Sequence, residues 1–252
     1  MTAQIKSPFD LNPDRKAGLI VDMVMRMVVH YGLWFTEVRH QMGMEKALEV
    51  LRTATDRSLP MAMKRFAELF DFELADGIPN DLLCMDLEKM DRFMKTIAKT
   101  WLANDGVWFQ AVEFDAGMND AKRCNDSCWG QFSPVEADAV KVFLGIEDGC
   151  GLAGLKKALN FRMYSLINTQ SIVDEGPKSF VFQMNDCRVQ AARKRKNLAD
   201  YPCKSAGLVE YAYFAKALDK RINTQCIGCP PDDHPDEWFC AWRFFIEDEE
   251  TD

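Results

Sequence analysis

Trp238-Phe239-Cys240-Ala241-Trp242-Arg243-Phe244-Phe245-Ile246 decides the class of this fold. Its even-numbered members fall on one side at a period of two, the alternation of a β-strand. Just upstream, Ile222, Thr224 and Cys226 alternate with Asn223 and Gln225. The connection 227–237 then makes the two segments an antiparallel pair. Farther back, Ser179-Phe180-Val181-Phe182-Gln183-Met184 puts Phe180, Phe182 and Met184 on one side. Between these strands, Cys187 to Lys196 reads as a basic helix and Ala206 to Leu218 as another. The end of the chain is therefore a small antiparallel sheet with helices.

The rest is almost wholly helical to about Gln170. After a polar tail, Pro13-Asp14 starts a helix. Apolar residues recur at helical steps in Leu19, Met23, Met27, Leu33 and Trp34, and again in Leu87, Met90, Phe93, Ile97, Trp101 and Trp108. Gly43 and Gly117 read as C-terminal glycines. Pro60 and Pro134 suit first turns of later helices, with Ser133 as an N-cap. Cys124 and Cys128, four apart beside Trp129, read as core packing. A shift of 74 residues places Gly32, Trp34, Phe35, Val38, Gly43, Met44 and Ala47 on Gly106, Trp108, Phe109, Val112, Gly117, Met118 and Ala121. It also pairs Glu73 with Glu147 and Gly77 with Gly151.

The expectation is an α+β protein. Its mostly helical N-terminal two-thirds carry an internal duplication and pack on a small C-terminal antiparallel sheet. Its parts are a tail (1–13), a helical region (14–176) with repeats at about 15–80 and 89–154, a cysteine-rich α+β region (177–246) and an acidic tail (247–252).

Length and composition are those of a soluble globular chain: 252 residues, 48% hydrophobic and 28% charged. A formal charge of −8 argues against binding nucleic acid or anionic lipid nonspecifically. The most apolar run, Leu19 to Phe35, is broken by Asp22, Arg26 and His30, so it reads as a buried helix and not a membrane span. With no signal-type segment at the amino terminus, the expected location is the cytoplasm, where thiols stay reduced. Nine cysteines, an odd number, speak against a closed disulfide framework.

Five of those cysteines lie between Cys187 and Cys240, two of them as Cys226-Ile-Gly-Cys229-Pro-Pro. Such a turn lets two thiolates reach one tetrahedral ion at roughly 2.3 Å. Cys203 and Cys240 complete a candidate metal set with Cys226 and Cys229; Cys187 and His234 are substitutes. Zinc is the expected metal, an iron–sulfur centre the alternative. Inert burial and a Cys226/Cys229 redox pair are the competing readings. Trp34, Trp108, Trp238 and Trp242 are candidates to line a small-molecule pocket, or are simply core aromatics.

Other signals are weaker. Glu37-x-x-His40 has di-iron spacing, but the chain holds only His30, His40 and His234, so the ligand inventory is incomplete. Arg188, Arg193, Lys194, Arg195 and Lys196 form a basic cluster that either holds an anionic substrate or partner or, the favoured reading, is a solvated helix face balancing the acidic stretch Asp232 to Glu237. No phosphate-binding glycine loop or nucleophile elbow occurs.

Cys187-Arg-Val-Gln-Ala-Ala-Arg193, Pro202-Cys203-Lys204-Ser205, Arg221-Ile-Asn-Thr-Gln-Cys226-Ile-Gly-Cys229-Pro-Pro-Asp232 and Trp238-Phe-Cys240-Ala-Trp242-Arg-Phe244 resemble a bacterial and archaeal family of uncharacterised cytosolic proteins. The Trp34-Phe35 and Trp108-Phe109 helices fit that family too. More distantly, the order Cys187, Cys203, Thr224, Cys240, Phe244 is similar to L-2-amino-thiazoline-4-carboxylic acid hydrolase-like proteins. Cys240-Ala241-Trp242-Arg243-Phe244 departs from their Cys-Asp-Phe-Arg-type ending. The tail also resembles the vinyl-reductase-type ligand-sensing fold, in which cysteines hold a structural zinc. These resemblances imply a small-molecule pocket between helices and sheet. The leading expectation is a cytosolic zinc-binding protein that holds a small molecule. Its rival is a small-molecule hydrolase with Cys187, Cys203 or Cys240 catalytic, and the third class is an assembly protein that forms homo-oligomers.

Overall fold

A computed structural model describes residues 6–195, 197 and 200–247. Lys196 of the basic cluster and most of the acidic tail lie outside the described residues. The helices are α1 (Pro13–Met42), α2 (Met44–Phe70), α3 (Asn80–Leu83), α4 (Leu87–Ala116), α5 (Met118–Leu144), α6 (Gly151–Leu159), α7 (Arg188–Lys194) and α8 (Lys204–Leu218). The strands are β1 (Leu74–Ala75), β2 (Ile78–Pro79), β3 (Thr169–Asp174), β4 (Ser179–Asp186), β5 (Asn223–Gly228) and β6 (Cys240–Phe245). The chain is α+β and falls into two compact units, Met1–Cys84 and Met85–Asp252.

The four long helices keep one spacing. Pro13 and Leu87, Met42 and Ala116, Met44 and Met118, and Phe70 and Leu144 each stand 74 positions apart. Their N-caps match as well. Asn12 accepts from the Arg15 N–H at 3.0 Å and Asp86 from the Lys89 N–H at 2.8 Å. Gly43 and Gly117 break each pair at φ +84 and +90, a region that costs any residue with a Cβ.

Pro60 and Pro134 lie inside α2 and α5 and do not start new helices. The Ser133 hydroxyl caps nothing; it donates back to the Trp129 carbonyl at 2.7 Å, a contact made within a continuing helix. Thr169–Asp174, assigned to the helical part by its position, is instead an edge strand of the sheet.

The first unit consists of the α1–α2 pair, the β1–β2 hairpin turned by Asp76-Gly77, and α3. Both turn residues have positive φ, +51 and +80. Ala47 is its one buried residue among those described. The apolar run in α1 is thus not a buried helix: Ile20, Val24, Val28 and Trp34 are all exposed. By length and composition α1 could cross a membrane. Asp22, paired with Arg26, lies within it.

The second unit is built on an antiparallel sheet in the order β3-β4-β6-β5. Register aligns Phe180 with Phe244, Phe182 with Trp242 and Met184 with Cys240, so the alternating residues make one apolar face. That face, with Tyr211, Phe214 and Leu218 of α8 and Leu155 and Leu159 of α6, forms the core. On the other face, Arg243 pairs with Glu175 at 2.7 Å. Helix α8 packs along α5, and α5 against α4. Cys124 and Cys128 face solvent on α5 and do not pack in the core.

Candidate functional site: a thiol-lined cavity

Helix α8 begins one residue after Cys203, and the Lys204 N–H donates to the Pro230 carbonyl at 2.9 Å. That bond, with the ion pair from Lys204 to Asp232 at 2.8 Å, draws the end of β5 over the N-terminus of α8. Cys229, just beyond β5 and 1% exposed, is thereby set with its sulfur 3.6 Å from that of Cys203. Gln190 of α7 donates from Nε2 to the Cys203 sulfur at 3.4 Å and to the Tyr201 carbonyl at 2.9 Å. Gln190 is fully buried, so its geometry is fixed.

These neighbours separate the thiols chemically. The Cys229 contact, aided by Gln190, lowers the pKa of Cys203 against the opposing effect of burial. Its position at the start of a 15-residue helix acts the same way. Cys229 is raised far above an ordinary thiol because it keeps its proton between Cys203 and Cys240. Burial pushes Cys187 up to about 12. The two shifts run in opposite directions, so Cys203 is the more acidic thiol of the pair and Cys229 the one that holds its proton more tightly.

Cys203, Cys229, Cys240 and Cys187 all line one cavity of about 320 Å³. Cys226 shares the sheet face, paired with Trp242, but is not part of the cavity wall. Burial raises its pKa. Of the proposed metal set, then, three sulfurs gather and the fourth stands aside. Among the described residues, no group of three or more His, Cys, Asp or Glu side chains has a geometry suited to holding a metal ion. His234 is turned to Asp200, with Nε2 3.1 Å from Oδ2.

Of the four tryptophans singled out, Trp242 lines the cavity and is fully buried. Trp108 is 63% exposed and Trp34, in the first unit, 62%. Trp238 is half-buried against Gly228, outside the cavity wall. The remaining wall was not singled out from the sequence. Phe109, Trp129, Tyr164, Tyr201 and Tyr211 supply its aromatic surface, and Asp105, Glu113 and Glu210 its carboxylates. No local motif marks these residues.

Glu210 is held by Arg162, whose Nη2 donates to it at 2.6 Å while Nε donates to Glu136 at 2.8 Å. Burial works against the Arg162 charge, but the two carboxylates outweigh it and raise its pKa. Three polar atoms on the wall, Tyr201 Oη, Asn168 Nδ2 and Trp242 Nε1, are buried without a hydrogen-bond partner among the described residues. Orphaned buried polar atoms are costly in a folded protein and mark places where a bound group is expected.

No curated protein and no solved structure matches the chain. A family described as "Family of unknown function (DUF6125)" matches it over residues 9–96 and 85–246. With nearly the whole length covered by those two matches, the chain belongs to this family of unknown function.

Proposed function

We propose that the second unit is a small-molecule enzyme in which Cys203 acts as a thiolate nucleophile toward a ligand held in the cavity. The observation that carries this reading is the placement of Cys203. Its sulfur sits at a helix N-terminus, receives the Gln190 N–H and the Cys229 S–H, and opens onto a cavity with unpartnered polar atoms. A thiol so placed ionises more readily than a free cysteine, which favours attack on an electrophilic carbon without a histidine base. The volume, about 320 Å³, lies at the small end of the range for small-molecule sites.

Alkylation by iodoacetamide at pH 6.5, read cysteine by cysteine by mass spectrometry, tests the assignment. Cys203 is expected to react ahead of the exposed Cys84, Cys124 and Cys128, and Cys229→Ala or Gln190→Met is expected to slow it. If the exposed thiols lead in the unaltered protein, the nucleophile reading is wrong.

One observation favours a second reading, a zinc site on the same sulfurs. Two thiolates each roughly 2.3 Å from a tetrahedral ion stand roughly 3.8 Å apart, and Cys203 and Cys229 are 3.6 Å apart. Cys240 would be the third ligand and Cys226 or Cys187 the fourth. Cobalt substitution separates the readings: thiolate-to-metal absorption that disappears in Cys229→Ala supports the metal, and its absence in the unaltered protein removes it.

A further inference from the structure

The walls of the cavity indicate the charge of what it takes. Six aromatic side chains line it in three touching pairs. Trp129 stacks on Tyr164 with ring centroids 5.6 Å apart, Tyr211 on Trp242 at 4.9 Å, and Phe109 meets Tyr201 edge-on at 5.2 Å. Aromatic faces carry negative potential and attract a cation that has left bulk water. Arg162 already lies over Tyr164 and Tyr211 and Lys122 over Tyr201, so among the described residues the rings with no cation of the protein over them are Trp129, Trp242 and Phe109.

The ionisable groups on the wall point the same way. Asp105, Glu113 and Glu210 face the cavity, and Arg193 is the one basic side chain among the described lining residues. Glu210 is already engaged by Arg162. Asp105 and Glu113 have neither a hydrogen bond nor an ion pair among the described residues. The Cys203 thiolate of the preceding reading adds further negative charge. At the other side of the account, the buried Trp242 Nε1–H and Asn168 Nδ2 are donors without acceptors. A ligand that satisfies this wall carries a positive head and, away from it, an acceptor oxygen.

We propose that the cavity binds an organic cation, an amine or quaternary ammonium compound, with its charged head between the aromatic pairs and Asp105 and an oxygen of its remainder toward Trp242 and Asn168. The proposal deepens the reading of a small-molecule cavity and rests on it. It adds the ligand's charge, which the cysteine chemistry leaves open.

Three probes of one shape and different charge test it on the full-length protein: choline, its uncharged isostere 3,3-dimethylbutan-1-ol, and the anion 3,3-dimethylbutanoate. Binding is followed by titration calorimetry and by tryptophan fluorescence. Choline is expected to bind at least roughly tenfold more tightly than the alcohol, with the anion weakest. Asp105→Asn is expected to cut the choline-to-alcohol preference to threefold or less, and Glu113→Gln serves the same purpose if the first variant does not fold.

Equal or tighter binding of the alcohol or the anion overturns the cation assignment while leaving an occupied cavity. So does a folded Asp105→Asn protein that keeps the full preference. If none of the three binds at millimolar concentration, the cation assignment also falls. The alkylation of Cys203, which does not depend on ligand charge, then judges the underlying reading separately.

Discussion

Replacing Arg162 by Met should be among the most damaging single changes in the second unit. Arg162 is 2% exposed, and its guanidinium lies between Glu136 and Glu210, themselves 6% and 7% exposed. The rings of Phe214, Tyr211 and Tyr164 surround it at 4.8, 5.4 and 5.5 Å. Methionine fills much of that volume, so little of the loss is packing. What remains is two carboxylates in a low-dielectric site with no counter-charge. Removing one partner of a buried pair costs about 3–5 kcal/mol, and here two acids lose theirs.

Partial relief comes from protonation, because burial already raises the Glu210 pKa even with Arg162 present. The expected loss is thus about 4 kcal/mol, or roughly 8–16 °C in Tm for a domain of this size. Urea unfolding followed by near-UV circular dichroism reads it as a shift in midpoint at constant slope. The deficit should also depend on pH. Carboxyls whose folded pKa exceeds the unfolded value favour the folded state when protonated, so the variant is least impaired in acid and worsens as pH rises through the raised pKa. A loss under about 1 kcal/mol at pH 7, or one that does not vary with pH, would refute the reasoning.

The same structure sets other outcomes. A Cβ at Gly207 would meet Trp242 Cη2 at 2.9 Å, so Gly207→Ala should cost about 1–3 kcal/mol and disturb ligand binding, as thermal melts and titrations would show. Asp219, 4% exposed, accepts from the Arg221 side chain at 2.7 Å and from the Gly151 N–H at 2.9 Å. The Arg221 contact, chief among these, lowers its pKa from 3.8 to about 2. Its contribution, about 2 kcal/mol, is complete above the unfolded pKa and disappears as pH falls through the folded one, so Asp219→Asn should destabilise at pH 6 and match the unaltered protein near pH 2. Tyr201→Phe removes a buried hydroxyl without a partner. Its stability in urea unfolding should therefore stay within about 1 kcal/mol of the unaltered protein or rise, while affinity for the cavity ligand falls.

Much of this fold could be read from side-chain alternation. β4 and β6 were visible because Phe180, Phe182, Cys240, Trp242 and Phe244 are apolar at every second position and one face is buried, and β5 because Ile222, Thr224 and Cys226 alternate with Asn223 and Gln225. β3 was not visible, since Thr169-Gln170-Ser171 is polar and the strand lies at an exposed edge, where burial imposes no pattern. Pro60 and Pro134 misled for another reason. A proline inside a long helix costs a hydrogen bond locally, and a short window around it does not show that the helix runs on through both sides, as α2 and α5 do. At the site, cysteine spacing drew attention to Cys203, Cys229 and Cys240, which line one cavity, but it could not tell that Cys203 would sit at a helix end or that Cys226 would miss the cavity. The carboxylates and tyrosines of the wall come from α4 (Asp105, Glu113), the turn at Tyr164, the loop at Tyr201 and α8 (Glu210, Tyr211), and no short sequence window contains them together.

The α1–α2 pair has a consequence for how the protein comes apart. Two helices of 30 and 27 residues with a single buried alanine have almost no interior of their own. Backbone amides there are guarded by helical hydrogen bonds alone, which open by fraying on a short timescale. Deuterium uptake should therefore run to completion before Cys84 while the amides of β4, β6 and α8 still hold their protons.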